Sequence, residues 1–296
     1  MIYTFTSHDG KKISVTEWNE VSSPKGIIQI SHGMAEHSGR YGIFAKEMNA
    51  RGYLVFADDH RAHGLTDKDT QGYSEGDIFN DTLKDLGALS KAYKDKYGLP
   101  LFFFGHSYGS FLGQRYVEEY GGLIDAAVLG GSNYMNNFVT RFGKVFASAA
   151  CAFGGSKKPA KTLKKASFDA YDKKFGTGES FISSEKAECE RYFADPFCAF
   201  VCSNAFYKYF FNGILQAYKK ENLEKIPKNL PILLISGASD PVGDMGKGVE
   251  KLEEIYNEYG LGVKKVLYEG VRHEYLNDTS RAFAINEIDG FFSSHI

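Results

Sequence analysis

The segment Gly105-His106-Ser107-Tyr108-Gly109 sets one serine between two glycines, directly after the apolar run LFFF at 101–104. Serine chemistry needs a base to take the hydroxyl proton and a carboxylate to orient that base. In parallel-sheet proteins the three follow along the chain as serine, acid, histidine. Of the eight histidines, only His273 and His295 lie after a plausible acid, and His295 is the penultimate residue. His273, in YEGVRHEYLND, follows the last strand-like run. Asp240 leaves the run PILLISGAS at its C-terminal end, the edge expected to carry Ser107 as well. Asp125 begins a strand and belongs at the opposite end, which leaves Asp244 as the local rival to Asp240. Acyl transfer also needs donors for a developing oxyanion. The N–H of Tyr108 follows the nucleophile directly, and the N–H of Met34 lies in QISHGMAEHSGRY, just past the run GIIQI.

A Gly-x-Ser-x-Gly string alone could be an ordinary tight turn. A strand before it and a helix after it are what a nucleophilic serine on a strained turn requires. The runs GIIQIS, YLVFA, LFFFG, DAAVLGG, PILLIS and VKKVLY are short and apolar, and helical stretches such as DIFNDTLKDLGALSKAYKDKYG separate most of them. That alternation predicts an α/β fold with a mostly parallel sheet covered on both faces. The N-terminal IYTFTSHDGKKISVTEW reads as a hairpin around His8-Asp9-Gly10. About a hundred residues separate DAAVLGGS from PILLIS, where one crossover helix would suffice. The stretch NAFYKYFFNGILQAYKKENLEKI can be that helix. Residues 133–203 are then an inserted helical cap at the sheet's C-terminal edge, and 1–132 with 204–296 are the core. The triad and both oxyanion donors are expected outside the cap.

With 296 residues, 43% hydrophobic and 24% charged, the chain has an ordinary globular composition. A net charge of −2 without a basic block argues against a nucleic-acid partner. No run reaches the roughly 20 apolar residues a membrane span needs, and the N-terminus lacks a secretory pattern, so a soluble, cytoplasmic protein is expected. The four cysteines make no C-x-x-C pair and read as buried thiols. In HGMAEH, His32 and His37 are five apart, about 140° around a helix, so no metal site is expected there. The crowded DDHRAHG reads as a structural loop network. GDMGKG has Pro241 where a phosphate loop needs its first glycine and Gly248 where it needs Ser or Thr. No cofactor is implied.

Four segments in order, HGMAEHSGRYGIFAKEMNARGYLVFADDHRAHGLT, FFFGHSYGS, SGASDPVGDMGKGVEKLEEIY and LYEGVRHEYLND, resemble the monoacylglycerol lipase and lysophospholipase branch of the serine α/β-hydrolases. The resemblance implies an α/β-hydrolase fold, a triad of Ser107, Asp240 and His273, oxyanion donors at Met34 and Tyr108, and a cap over 133–203. It implies hydrolysis of acylglycerol or lysophospholipid esters through an acyl-enzyme, with the cap meeting a membrane surface transiently. Where the family commonly has Arg-Gly-His-Gly, this chain has Arg61-Ala62-His63-Gly64. Two other readings use the same triad: a small-ester carboxylesterase and a proline-type aminopeptidase, the latter with Glu179, Glu185, Glu188 and Glu190 available for an ammonium group. A non-catalytic small-molecule receptor is the third.

Overall fold

The computed structural model describes residues 1–296. Eight strands form one sheet: β1 (Ile2–Thr6), β2 (Lys12–Trp18), β3 (Gly26–Ser31), β4 (Tyr53–Asp58), β5 (Leu101–His106), β6 (Ala126–Gly130), β7 (Ile232–Gly237) and β8 (Val263–Tyr268). Their spatial order is β1-β2-β4-β3-β5-β6-β7-β8, antiparallel through the first three and parallel thereafter. β1 and β2 are the expected hairpin, turned at Gly10 with φ 84°.

The apolar strands are buried on both faces because successive side chains alternate across the sheet. Ile27, Phe56, Phe103, Leu129 and Leu234 enter one core; Ile28, Val55, Phe104, Val128 and Ile235 enter the other. The helices α1 (Gly42–Ala50), α2 (Ile78–Tyr97) and α3 (Tyr108–Glu119) connect the early strands. α2 begins under an Asp77 cap, whose carboxylate accepts from Asn80 N–H, and stops at Gly98, which takes the left-handed conformation.

Between β6 and β7 the chain forms α4 (Phe138–Ala149), α5 (Lys161–Ala166), α6 (Phe168–Asp172), α7 (Lys186–Ala194), α8 (Asn204–Gln216) and α9 (Lys220–Leu223). The crossover is therefore two helices rather than one. Past Gln216 the hydroxyl of Tyr218 bonds Asn133 O and Met135 N–H, and Asn222 Nδ2 donates to Gln216 O, which closes the α8 end. α10 (Lys247–Glu258) and α11 (Arg281–Ser293) complete the layers. No helix is long and apolar enough to cross a membrane. All four cysteines are free; Cys198 and Cys202 are buried as expected, whereas Cys151 and Cys189 are only half-buried.

Candidate active site

Ser107 follows β5 directly and precedes the first residue of α3, with φ 53° and ψ −119°. A non-glycine residue held there stores on the order of 1–3 kcal/mol of strain. The two glycines are required by close approach. A Cβ on Gly105 would lie 2.5 Å from Gly109 O, and one on Gly109 would lie 1.9 Å from Ser31 O. α3 thus begins pressed against the end of β3, and Ser107 N–H is pinned to Gly130 O at 2.9 Å.

Thirty-three residues apart in sequence, His273 and Asp240 meet through Nδ1 and Oδ2 at 2.8 Å. Asp240 is fully buried; its Oδ1 accepts from Val242 N–H at 2.8 Å and its Oδ2 from Ser236 Oγ at 3.3 Å. Asp244, the rival acid, is exposed on the following turn at φ 52° and is not bonded to His273. Burial opposes charge on the His273 imidazole, but the attraction and hydrogen bond of Asp240 outweigh it and raise the pKa above the usual value. No hydrogen bond joins Ser107 Oγ to His273 in this conformation, a spacing that commonly tightens only with substrate bound. Both line one cavity of about 320 Å³, together with Gly33, Met34 and Tyr108.

The loop after β3 is held by the DDHRAHG network. His60 bonds Asp58 through Nδ1 and Ser31 through Nε2, and its own N–H donates to His32 Nε2. Ala62, where the resemblance leads one to expect glycine, adopts φ 70°, so the left-handed turn survives the added methyl. Gly33 N–H donates to Glu36 at 2.5 Å and Ala35 N–H to His63 Nε2 at 3.1 Å. Between them, Met34 N–H has no internal acceptor. Tyr108, first in its helix, likewise has no intrahelical acceptor. His37 takes no part in a cluster with His32 and bonds Asp195 at 3.0 Å instead.

A buried ionic group at the cavity wall was not read from the sequence. Glu36 accepts from Tyr41 at 2.8 Å and Arg40 at 2.7 Å, and Arg40 forks onto Glu274, beside His273. Burial disfavours the Arg40 charge, but the two carboxylates more than restore it and hold its pKa high. Tyr192 packs beneath this guanidinium, 4.9 Å from ring centroid to Cζ, with a buried hydroxyl that has no partner. The i,i+4 spacing of Glu36 and Arg40 was the available signal. Ser107, Asp240 and His273 lie outside residues 133–203, and that segment touches one of them: His273 N–H donates to Phe181 O at 3.1 Å.

Residues 22–280 match the family described as Serine aminopeptidase, S33. A human protein named monoglyceride lipase is 29% identical over 273 residues, spanning 90% of this chain and 80% of that one. A solved structure of a thermostable carboxyl esterase from Bacillus coagulans, in complex with glycerol, superposes with a TM-score of 0.90 at 27% identity, covering 100% of this chain and 98% of the other. A soluble variant of monoglyceride lipase from Saccharomyces cerevisiae, at 21% identity and a TM-score of 0.75 over 100% and 94% of the two chains, shares the fold. With an eight-stranded, mostly parallel sheet, a serine on a strained turn and a buried acid–histidine pair at the same sheet edge, the chain belongs to the Serine aminopeptidase, S33 family of serine α/β-hydrolases.

Proposed function

We propose that this chain is a serine esterase that cleaves the acyl ester of a monoacylglycerol or lysophospholipid. Ser107 Oγ attacks the acyl carbonyl while His273 Nε2 takes its proton and Nδ1–H stays on Asp240. The oxyanion is held by the N–H groups of Tyr108 and Met34. Collapse breaks the bond to the alcohol, which leaves with the proton from His273. Water then attacks the acyl-enzyme by the same base, releasing the fatty acid and restoring Ser107.

The observation that carries this reading is the cavity over Ser107, whose walls are largely apolar: Val139, Phe142, Phe146, Leu163, Phe210 and Phe211 contribute to it. Its polar wall at Glu36, Glu274 and Tyr192 offers hydrogen-bonding groups to an alcohol with hydroxyls, with Arg40 offsetting one of the two carboxylate charges. The length and apolar character of the remaining wall, rather than this charge, favour an acyl ester over an aminoacyl substrate. Of the four glutamates available to the latter by sequence, Glu179 pairs with Arg272, Glu188 with Arg281 and Glu190 with Lys186, and Glu185 is exposed without an ion pair. We take residues 133–203 as a cap over this cavity. α4 exposes Phe138, Val139, Phe142 and Val145, of which Val139 and Phe142 also line the cavity, an apolar surface that fits transient contact with a lipid interface. The test is a panel of monoacylglycerols, lysophosphatidylcholine, p-nitrophenyl acetate and aminoacyl amides. The expected order is long-chain esters first; faster turnover of an aminoacyl amide overturns the proposal.

A further inference from the structure

Residues 179–185 cross the loop that carries His273, and the two segments are bonded along their length. His273 N–H donates to Phe181 O at 3.1 Å and Glu274 N–H to Ile182 O at 2.8 Å. The peptide groups on both sides of the His273 Cα are therefore held by carbonyls of the segment between β6 and β7. Arg272 extends the join, with Nη1 donating to Ser180 O at 2.8 Å and Ser183 O at 3.3 Å, and its guanidinium 4.2 Å from the Phe175 ring centroid.

Asp278 closes the other end. Its carboxylate accepts from Ser184 N–H at 2.9 Å, Ser184 Oγ at 2.5 Å and Arg272 N–H at 3.2 Å. Ser183 Oγ donates to Asn277 O at 2.7 Å. Asp278 is buried, which pushes its pKa up, but the donors from Ser184, Thr279 and Arg272 outweigh burial and keep it low. The Phe181 ring packs 5.6 Å from the His273 imidazole, whose other neighbour, His106, is at 4.8 Å. A cover that only selected an acyl chain has no need of bonds to the base's own peptide groups.

We infer that the strap 180–184 positions His273, with Ser184 and Asp278 as the positioning pair, so that this part of the chain sets the geometry of the reaction as well as the choice of substrate. The inference rests on the reading of His273 as the general base. A base displaced by about 1 Å loses on the order of a hundredfold in rate. Loosening the strap must then show in kcat even for an acetyl ester, which is too short to use the apolar cavity.

The test compares Ser184→Ala, Ser184→Thr and Asp278→Asn in the full chain with p-nitrophenyl acetate and octanoate, alongside thermal unfolding. Ser184→Ala removes one hydroxyl bond and keeps the backbone, so it stands in should Asp278→Asn fail to fold. The expected result is an acetate kcat lowered by about tenfold or more in Ser184→Ala and Asp278→Asn, with KM within about twofold, a limb of the pH profile displaced from that of the wild type, and recovery in Ser184→Thr. An unchanged acetate kcat in Ser184→Ala with altered octanoate KM overturns the inference, since the strap would then select substrate only. A loss that merely follows the folded fraction also overturns it. Fluorophosphonate labelling of the wild type and of Ser107→Ala is run in parallel. If Ser107 is not the labelled residue, the underlying reading of the site fails by itself, whatever the strap variants show.

Discussion

Replacing Gly109 by alanine puts the close packing of the serine turn to a quantitative test. The added Cβ would stand 1.9 Å from Ser31 O and 2.4 Å from Ser31 C. Both are backbone atoms of a central strand, paired with β5 on one side, so no side-chain rotation relieves the overlap. Recovering even a tight contact of 3.0 Å moves the start of α3 away from β3 by about 1 Å, the scale at which a misplaced reacting group loses on the order of a hundredfold. The same movement widens the gap between the N–H groups of Tyr108 and Met34, and loss of one oxyanion donor costs about a hundredfold to a thousandfold. The expected kcat/KM of Gly109→Ala on p-nitrophenyl butyrate is therefore lower by about two orders of magnitude or more, with a lower melting temperature from overpacking of about 1–3 kcal/mol. Gly42→Ala is the control: Gly42 opens α1 at φ −58° with nothing within 4 Å of an added Cβ, and both readings should stay at wild type. A Gly109→Ala enzyme retaining more than about a tenth of wild-type kcat/KM, where the argument demands about a hundredfold loss, would refute this account of the turn.

Ser107→Ala should fold normally and lose ester hydrolysis by several orders of magnitude, since triad members act as a unit; residual turnover above a few per cent removes Ser107 from the nucleophile's place. With His273 as the proposed base, activity needs its neutral imidazole, whose pKa burial lowers and Asp240 more than restores, so kcat/KM should climb with pH through a limb above about 6.5, the ordinary imidazole value. The same raised pKa adds stability that is fully present below about pH 6.5 and fades as pH rises past the folded-state value. Calorimetry across that window should show Asp240→Asn differing most from wild type at its acid end. Asp240→Asn should lose turnover through the wrong tautomer while Asp244→Asn keeps it, and the reverse pattern would exchange the two acids. With the apolar walls of the cavity to bury the chain, each added methylene is worth up to about 0.8 kcal/mol, so kcat/KM should rise steeply from acetyl esters and level off once the cavity is full. Acetyl preferred over octanoyl, measured below the aggregation concentration, favours the small-ester alternative.

Strand positions were legible because a doubly covered strand must be apolar throughout, and GIIQI, LFFFG and PILLIS are. The left-handed turn around Ala62 was less so, since alanine hides the positive φ that glycine advertises. The break between α8 and α9 was hidden as well. It depends on where Tyr218 and Asn222 find partners, and Asn133, one of those partners, lies some 85 positions upstream.

Sequence alone determined that Ser107, the Asp240–Asp244 turn and His273 follow the C-terminal ends of parallel strands, because strand direction follows from the alternation of strands and helices and each candidate closes a strand. It also narrowed the acid to two residues on one turn. Only tertiary structure sets the two apart: Asp240 is buried and bonded to His273 while Asp244, four residues on, faces solvent. It alone brought Glu36, Arg40 and Glu274 together, since a pair 234 positions apart leaves no periodic trace. It alone laid the segment 180–184 across the histidine loop, by backbone carbonyls that every residue type carries and that no sequence pattern can reveal.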